Sequence, residues 1–296
     1  MQIIGFKTGK MTTDRRIKHL ITKVGETHIP YRFSEYNTRN GQLDDTLISN
    51  HYEKLEWNFE HGHGPAKYVW WGFLRNTKTI MEKANKRNYD WYFVDHPYFF
   101  HKTHSDIDLG QQFIRIVKNG INQNKIVDIN EKKLEQYEKI HPQSFKISDW
   151  KKGGKHIVLL PPSFHMCRFF DIDRDKLIND TINKIKEHTD RPIDIRIKKK
   201  DGEYNPNPIS NQFENAHAVV AYQSNGAIKA ILQGIPSFVV TPEYSACTPV
   251  SETDLSKIET PYYANNRREW LANLCNNQFS EPEYKRSIEY LDGINE

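Results

Sequence analysis

Apolar and polar positions are most clearly patterned over residues 215–240 of the 296-residue chain. Residues 218–221 form a short, wholly apolar run, the pattern of a strand buried on both faces. Gln223, Ser224, Asn225 and Gly226 follow, small, polar or flexible residues suited to reversing the chain. Over 227–233 the apolar residues Ala227, Ile228, Ile231 and Leu232 recur at helical spacing. Gly234 is a C-terminal cap, Pro236 prevents the helix from continuing, and 237–240 returns to the buried-strand pattern. A polar turn that leads from a parallel strand into a helix presents unpaired backbone N–H groups. That geometry holds a phosphate or a sugar.

The same periods predict strands over 1–6, 68–73 and 91–94, and helices over 46–60 and 75–86, the last with Ile80, Met81 and Ala84 on one side. Residues 113–117 read as a strand and 131–140 as a helix. Lys-Lys-Gly-Gly-Lys at 151–155 reads as a hinge, after which the rhythm is cleaner. A strand over 156–160 ends at Pro161-Pro162-Ser163. A helix over 173–188 carries Leu177, Ile178, Ile182 and Ile185 on one face, and a strand follows over 193–197. A charged loop occupies 198–208, residues 209–216 lead into the opening unit, and 267–275 and 281–291 read as terminal helices. Alternating strands and helices predict an α/β chain of two Rossmann-like lobes, one at 1–150 and one at 151–296. A ligand cleft is expected between the carboxyl ends of two parallel sheets.

Composition narrows the classes. A mean hydropathy of −0.78 indicates a polar surface, and 6 Trp, 15 Tyr and 15 Phe exclude a disordered chain. The net charge of +4 permits an anionic partner, a nucleotide, DNA or a membrane surface, but is weaker than a dedicated nucleic-acid binder shows. Cys167, Cys247 and Cys275 are odd in number and widely spaced, so neither a disulfide framework nor a zinc ribbon is indicated. Residues 8–19 lack a secretory apolar core, and no apolar run reaches the roughly 18–20 residues of a membrane span. A soluble protein of the reducing cytoplasm is expected. A Gly-x-Ser-x-Gly elbow and a Walker lysine loop are both missing, which argues against a serine hydrolase and a P-loop kinase.

Candidate chemistry gathers at expected strand ends. Arg196 and Lys198, two residues apart, share a face and would neutralise a phosphate, or else form a solvated basic edge with Lys199 and Lys200. Ser224, Asn225 and Gly226 combine a helix cap with a ligand turn. Ser163 and His165 would reach a donor phosphate or base, with Cys167 read as a buried thiol. Asp95 and His96 follow a strand directly, so either would deprotonate an acceptor hydroxyl, or cap the turn and pack among aromatic rings. Asp95 is the better single choice as base. Gly72 and Arg75 mark a second strand end, and Trp71 and Tyr98, with Trp70, are candidates to stack on a base or sugar ring. His61, His63, His101, His104, Asp106 and Asp108 lack metal-site spacing, so metal independence is expected, with no cofactor beyond a nucleotide-sugar substrate.

Ser224-Asn225-Gly226-Ala227-Ile228, with Ala230, Gly234-Ile235-Pro236 and the preceding Arg196-Ile197-Lys198, resembles the donor-binding domain of GT-B glycosyltransferases. It is most similar to the branch containing capsule-type and tailed-phage sugar transferases, over about residues 156–280. The resemblance implies transfer of a sugar from a nucleotide-sugar to a hydroxyl acceptor, either a hydroxymethylated base in double-stranded DNA, in a host cytoplasm, or a surface glycan. It implies that Arg196 and Lys198 meet the donor phosphates. The family's Glu-x(7)-Glu pattern is missing, since Lys229 and Gln233 stand on this helix, and Glu243 is the nearest alternative acid. A sugar-nucleotide epimerase and a non-catalytic nucleic-acid-binding protein with a degenerate two-lobed fold remain open.

Overall fold

The computed structural model describes residues 2–7, 11–24, 31–32, 66–73, 77–100, 113–196 and 209–294. They divide into two units, Met1–Gly120 with Gln278–Glu296, and Ile121–Asn277.

The first unit begins with β1 (Gln2–Lys7), α1 (Met11–Val24), β2 (Tyr31–Arg32), β3 (Ala66–Trp71), α2 (Thr77–Lys86), β4 (Trp91–Asp95) and β5 (Ile114–Lys118). Helix α1 is charged enough to escape a reading for apolar runs. Ile17, Leu20, Ile21 and Val24 nevertheless fall at i, i+3, i+4 and i+7, and the first three are buried. The strands β2, β1, β3 and β4 run parallel, whereas β5 is antiparallel to β4, with Asp95 directly opposite Arg115. The chain returns to this unit at its end, where β10 (Gln278–Phe279) pairs with β5 and α10 (Tyr284–Gly293) lays Tyr284, Ile288 and Leu291 on the core beside Ile17, Leu20 and Ile114. At the start of β3 and β4, Asp292 of α10 accepts from Lys67 Nζ, Tyr92 Oη and Lys118 Nζ, the last at 2.8 Å, while Lys118 also reaches Asp90 at 3.1 Å.

The second unit carries α3 (Lys132–Ile140), α4 (Pro142–Phe145), β6 (His156–Leu160), α5 (Phe164–Phe169), α6 (Arg174–Lys186), β7 (Ile193–Ile195), α7 (Ile209–Gln212), β8 (Ala216–Ala221), α8 (Asn225–Leu232), β9 (Ser237–Val239) and α9 (Arg267–Asn276). Its sheet is wholly parallel, in the order β7-β6-β8-β9. Every residue of β8 is buried, as expected of a central parallel strand. The apolar face of α6 packs on it: Ile185, with Leu177, Ile178 and Ile182, joins Ile157, Val220 and Phe238.

Segment 151–155, expected to be a hinge, is instead fastened to α8. Gly234 ends that helix at φ +77°, a conformation glycine adopts without strain, and any Cβ there would run into the Asp149 carbonyl. Leu232 and Gly234 carbonyls accept from Ser148 N (2.8 Å) and Lys151 N (2.7 Å), and the Arg267 guanidinium lies 3.9 Å from the Trp150 ring centroid. Residues 121–130 also belong here rather than to the first unit. Asn273 accepts from Val127 N (3.0 Å) and Asp128 N (3.2 Å) and donates to Lys125 O (3.0 Å), while Asn122 donates to Tyr244 O (2.7 Å). The division therefore falls at 120, not 150. The helix expected over 46–60 lies outside the described residues. Among those described, no helix is long and apolar enough to cross a membrane.

Candidate functional site

In the second unit the chain leaves β6 for β7 at one edge, then crosses back to β8 and on to β9. The reversal lies between β6 and β8, and in open parallel sheets ligands bind outside the carboxyl ends of the strands at such a point. What the sequence places there is polar and small. After β6, Ser163 caps α5, its Oγ accepting from Met166 N at 3.1 Å. After β8, Ser224 caps α8, accepting from Gly226 N at 3.1 Å. A Cβ on Gly226 would come within 2.9 Å of both Leu160 Cδ1 and Ile209 Cδ1, so glycine lets the first turn of α8 lie against the end of β6 and against α7.

Arg196 reaches the same place from β7. Its N–H continues the ladder by donating to Leu159 O at 2.9 Å, and its Nη1 donates to Gln212 Oε1 of α7 at 2.9 Å. Helix α7 thus touches both Arg196 and Gly226. Asn225 is half-buried on the first turn of α8, and Gln223 Oε1 and Thr241 Oγ1, at the ends of β8 and β9, are buried with no hydrogen-bond partner. Of the residues expected here, Ser163, Arg196 and Ser224–Gly226 follow the carboxyl ends of the neighbouring strands β6, β7 and β8. His165 is exposed on α5 with its ring edge-on to Phe164, and Lys198 lies outside the described residues. Cys167 is buried, and burial pushes its thiol up. Glu243 is exposed in a short 3-10 turn, with its backbone carbonyl accepting from Asn124.

In the first unit the carboxyl ends of β3 and β4 carry a second polar cluster. Gly72 follows β3 at φ +57° and donates to Val94 O at 2.8 Å. Asp95 closes β4 with both carboxylate oxygens engaged: Oδ2 pairs with Arg115 Nη2 at 2.8 Å, and Oδ1 accepts from His96 N at 2.7 Å. His96 is exposed, its ring edge-on to Trp71 at 5.4 Å, and the Arg16 guanidinium lies 4.9 Å from the Trp71 centroid. Burial holds the Arg16 guanidinium below its ordinary value, against the opposing effects of Tyr284 and Asp95.

Trp71 and Tyr98 do not stand ready to stack on a ligand. Trp71 is 3% exposed and Tyr98 6%. Their rings are covered because each supports an arginine, Arg16 over Trp71 and Arg115 over Tyr98 at 5.2 Å; Trp70 is likewise buried, stacked on Trp91. Arg16 and Arg115 are the residues that reading the sequence missed. A lone arginine inside the apolar strand Ile-Arg-Ile-Val-Lys was the available signal. Arg75, His61, His63, His101, His104, Asp106 and Asp108 lie outside the described residues, among which no group of three or more His, Cys, Asp or Glu is placed to hold a metal ion.

No family model matches the chain, and a search of curated proteins finds no match to it. Solved structures do match in fold. KpsC of Thermosulfurimonas dismutans, a beta Kdo 2,7 transferase, aligns over 100% of both chains at 12% identity with a TM-score of 0.51. The beta Kdo 2,4 transferase of the same organism's KpsC aligns over 93% of this chain and 98% of its own, at 10% identity and a TM-score of 0.41. What the first of these shows is a shared fold: a mixed α/β chain built on parallel sheets, as in that transferase.

Proposed function

We propose that the protein is a glycosyltransferase that moves a sugar from a nucleotide-sugar to a hydroxyl acceptor. The observation that carries this reading is that Ser163, Arg196 and the Ser224-capped start of α8 follow the carboxyl ends of three neighbouring strands, around the strand-order reversal between β6 and β8. The positive end of the α8 dipole favours an anionic oxygen, and Arg196 neutralises charge on the departing nucleotide phosphate. The fold likeness to a Kdo transferase supports sugar transfer over other chemistry done on such folds.

The candidate base lies at the carboxyl ends of β3 and β4. Asp95, held by Arg115 and by the N–H of His96, fixes the turn that presents His96. Both oxygens of Asp95 are engaged while the His96 imidazole is exposed, so His96 is the group placed to take the proton from the acceptor hydroxyl. The acceptor is a saccharide rather than a DNA base, because the rings that would receive a displaced base, Trp71 and Tyr98, are buried.

A panel of UDP-, GDP-, ADP- and CMP-sugars tests the reading through thermal stabilisation and donor hydrolysis. At least one donor should raise the melting temperature. Ser224→Ala should weaken that donor's binding at least fivefold and cost about 1 kcal/mol of stability through loss of the cap, and Arg196→Ala should weaken binding further. If no donor stabilises the protein, or if both variants bind it as the wild type does, the proposal is wrong. A donor consumed and rearranged without any acceptor would instead identify an epimerase.

A further inference from the structure

Arg16 sits half-buried at the carboxyl edge of β3 and β4, and among the described residues it makes no ion pair or hydrogen bond. Among the described residues the carboxylate that acts on it, Asp95, is already held by Arg115, which is 5% exposed and keeps its Nε buried and unpartnered. Two guanidinium groups thus share one carboxylate. The Tyr284 hydroxyl also lies near Arg16, but a neutral phenol does not balance a cation. A half-buried guanidinium is costly to desolvate without a partner, and a planar fork is suited to a carboxylate or phosphate.

We propose that Arg16 recognises an anionic group on the acceptor, so that the substrate of the first unit is an acidic saccharide bearing a carboxylate or a phosphate. This rests on the transferase reading given above for His96. Arg16 lies over the face of Trp71 and His96 at its edge, at 4.9 and 5.4 Å from the ring centroid. The two groups are therefore no more than about 10 Å apart, a distance that one sugar ring with its anionic substituent spans. Arg16 grips the anion while His96 meets the hydroxyl, and the buried Arg115–Asp95 pair keeps the carboxylate of Asp95 from repelling the ligand.

Saturation-transfer NMR on the full chain, with N-acetylneuraminic acid, glucuronic acid, glucose 6-phosphate and neutral methyl glucoside as probes, tests this. At least one acidic probe should bind and the neutral one should not. A carboxylate or a phosphate preference then identifies the source of the anion. Arg16→Gln should weaken the acidic probe at least tenfold. Arg16→Lys, which keeps the charge and loses the fork, should fall between, and circular dichroism should show both variants folded. Equal binding of neutral and acidic probes, binding of none, or an Arg16→Gln variant that binds as the wild type does would overturn the proposal. Donor stabilisation measured on the same samples separates the two ideas. If donors stabilise while no acidic sugar binds, only the acidic acceptor is lost. If acidic sugars bind through Arg16 and no donor does, only the transferase reading is lost.

Discussion

Replacing Asp292 by alanine should loosen the first unit while leaving the second intact. Three donors converge on this carboxylate, from Lys67, Tyr92 and Lys118, and its side chain is 21% exposed. A hydrogen bond to a charged group contributes about 1.5–3 kcal/mol when buried, and removing one member of a buried pair costs about 3–5 kcal/mol. Here Lys118 keeps Asp90 at 3.1 Å, and both lysines retain some access to water. The expected loss is therefore about 2–4 kcal/mol. At about 3 °C per kcal/mol this lowers the melting temperature by roughly 6–12 °C. Urea unfolding gives the free energy. Hydrogen exchange read by mass spectrometry localises it, with protection falling in β3, β4, β5 and α10 and holding in β6 and β8. Burial pushes the Asp292 carboxyl up, but the hydrogen bonds from Lys118, Lys67 and Tyr92 outweigh it and hold it below its ordinary 3.8. A carboxyl lowered by folding contributes stability that is complete above its unfolded value and is lost as pH falls through the folded one. The gap between the wild type and Asp292→Asn should thus be flat between about pH 5 and 8 and close below pH 3.8. A loss under about 0.5 kcal/mol at neutral pH, or a gap that widens in acid, would refute the reasoning.

Two further substitutions test how the second unit is fastened. Gly234→Ala forces a Cβ into the Asp149 carbonyl at φ +77° and should cost about 2–4 kcal/mol in urea unfolding; a neutral effect would mean that segment 148–151 is not held against α8. Asn273→Ala strands the Val127 and Asp128 N–H groups and the Lys125 carbonyl. It should cost about 2–4 kcal/mol and expose amides 127 and 128 to exchange ahead of β6, whereas unchanged exchange there would show that other contacts hold the segment.

The second unit was the more readable half. Its central strand runs are mostly apolar, and Pro161, Gly234 and Pro236 punctuate them, so β6, α6, β8, α8 and β9 each carry a local signal. The first unit conceals its logic in pairings distant along the chain. Arg115 reads as an anomaly in an apolar strand until β5 is seen to run antiparallel to β4, which sets it opposite Asp95. Nothing local reveals that Asp292 will meet Lys67, or that the Trp71 ring will be covered by a guanidinium from α1. The Lys-Lys-Gly-Gly-Lys segment misleads for a related reason. Its composition is that of a linker, but the Gly234 carbonyl and the neighbouring Trp150 and Arg267 hold it down.

The return of the last residues to the first sheet fixes an order of events during synthesis. The strand pair β4–β5 and the helix α1 leave the ribosome early, yet the strand and helix that cover them, β10 and α10, are made only after all of Ile121–Asn277. At about 5–20 residues per second, that intervening stretch takes roughly 8–30 s to translate. The second unit, continuous in sequence, can close while it emerges. The first must wait with the apolar faces of Ile114, Ile116 and Leu20 exposed, which makes nascent chains ending near residue 277 the species most in need of a chaperone.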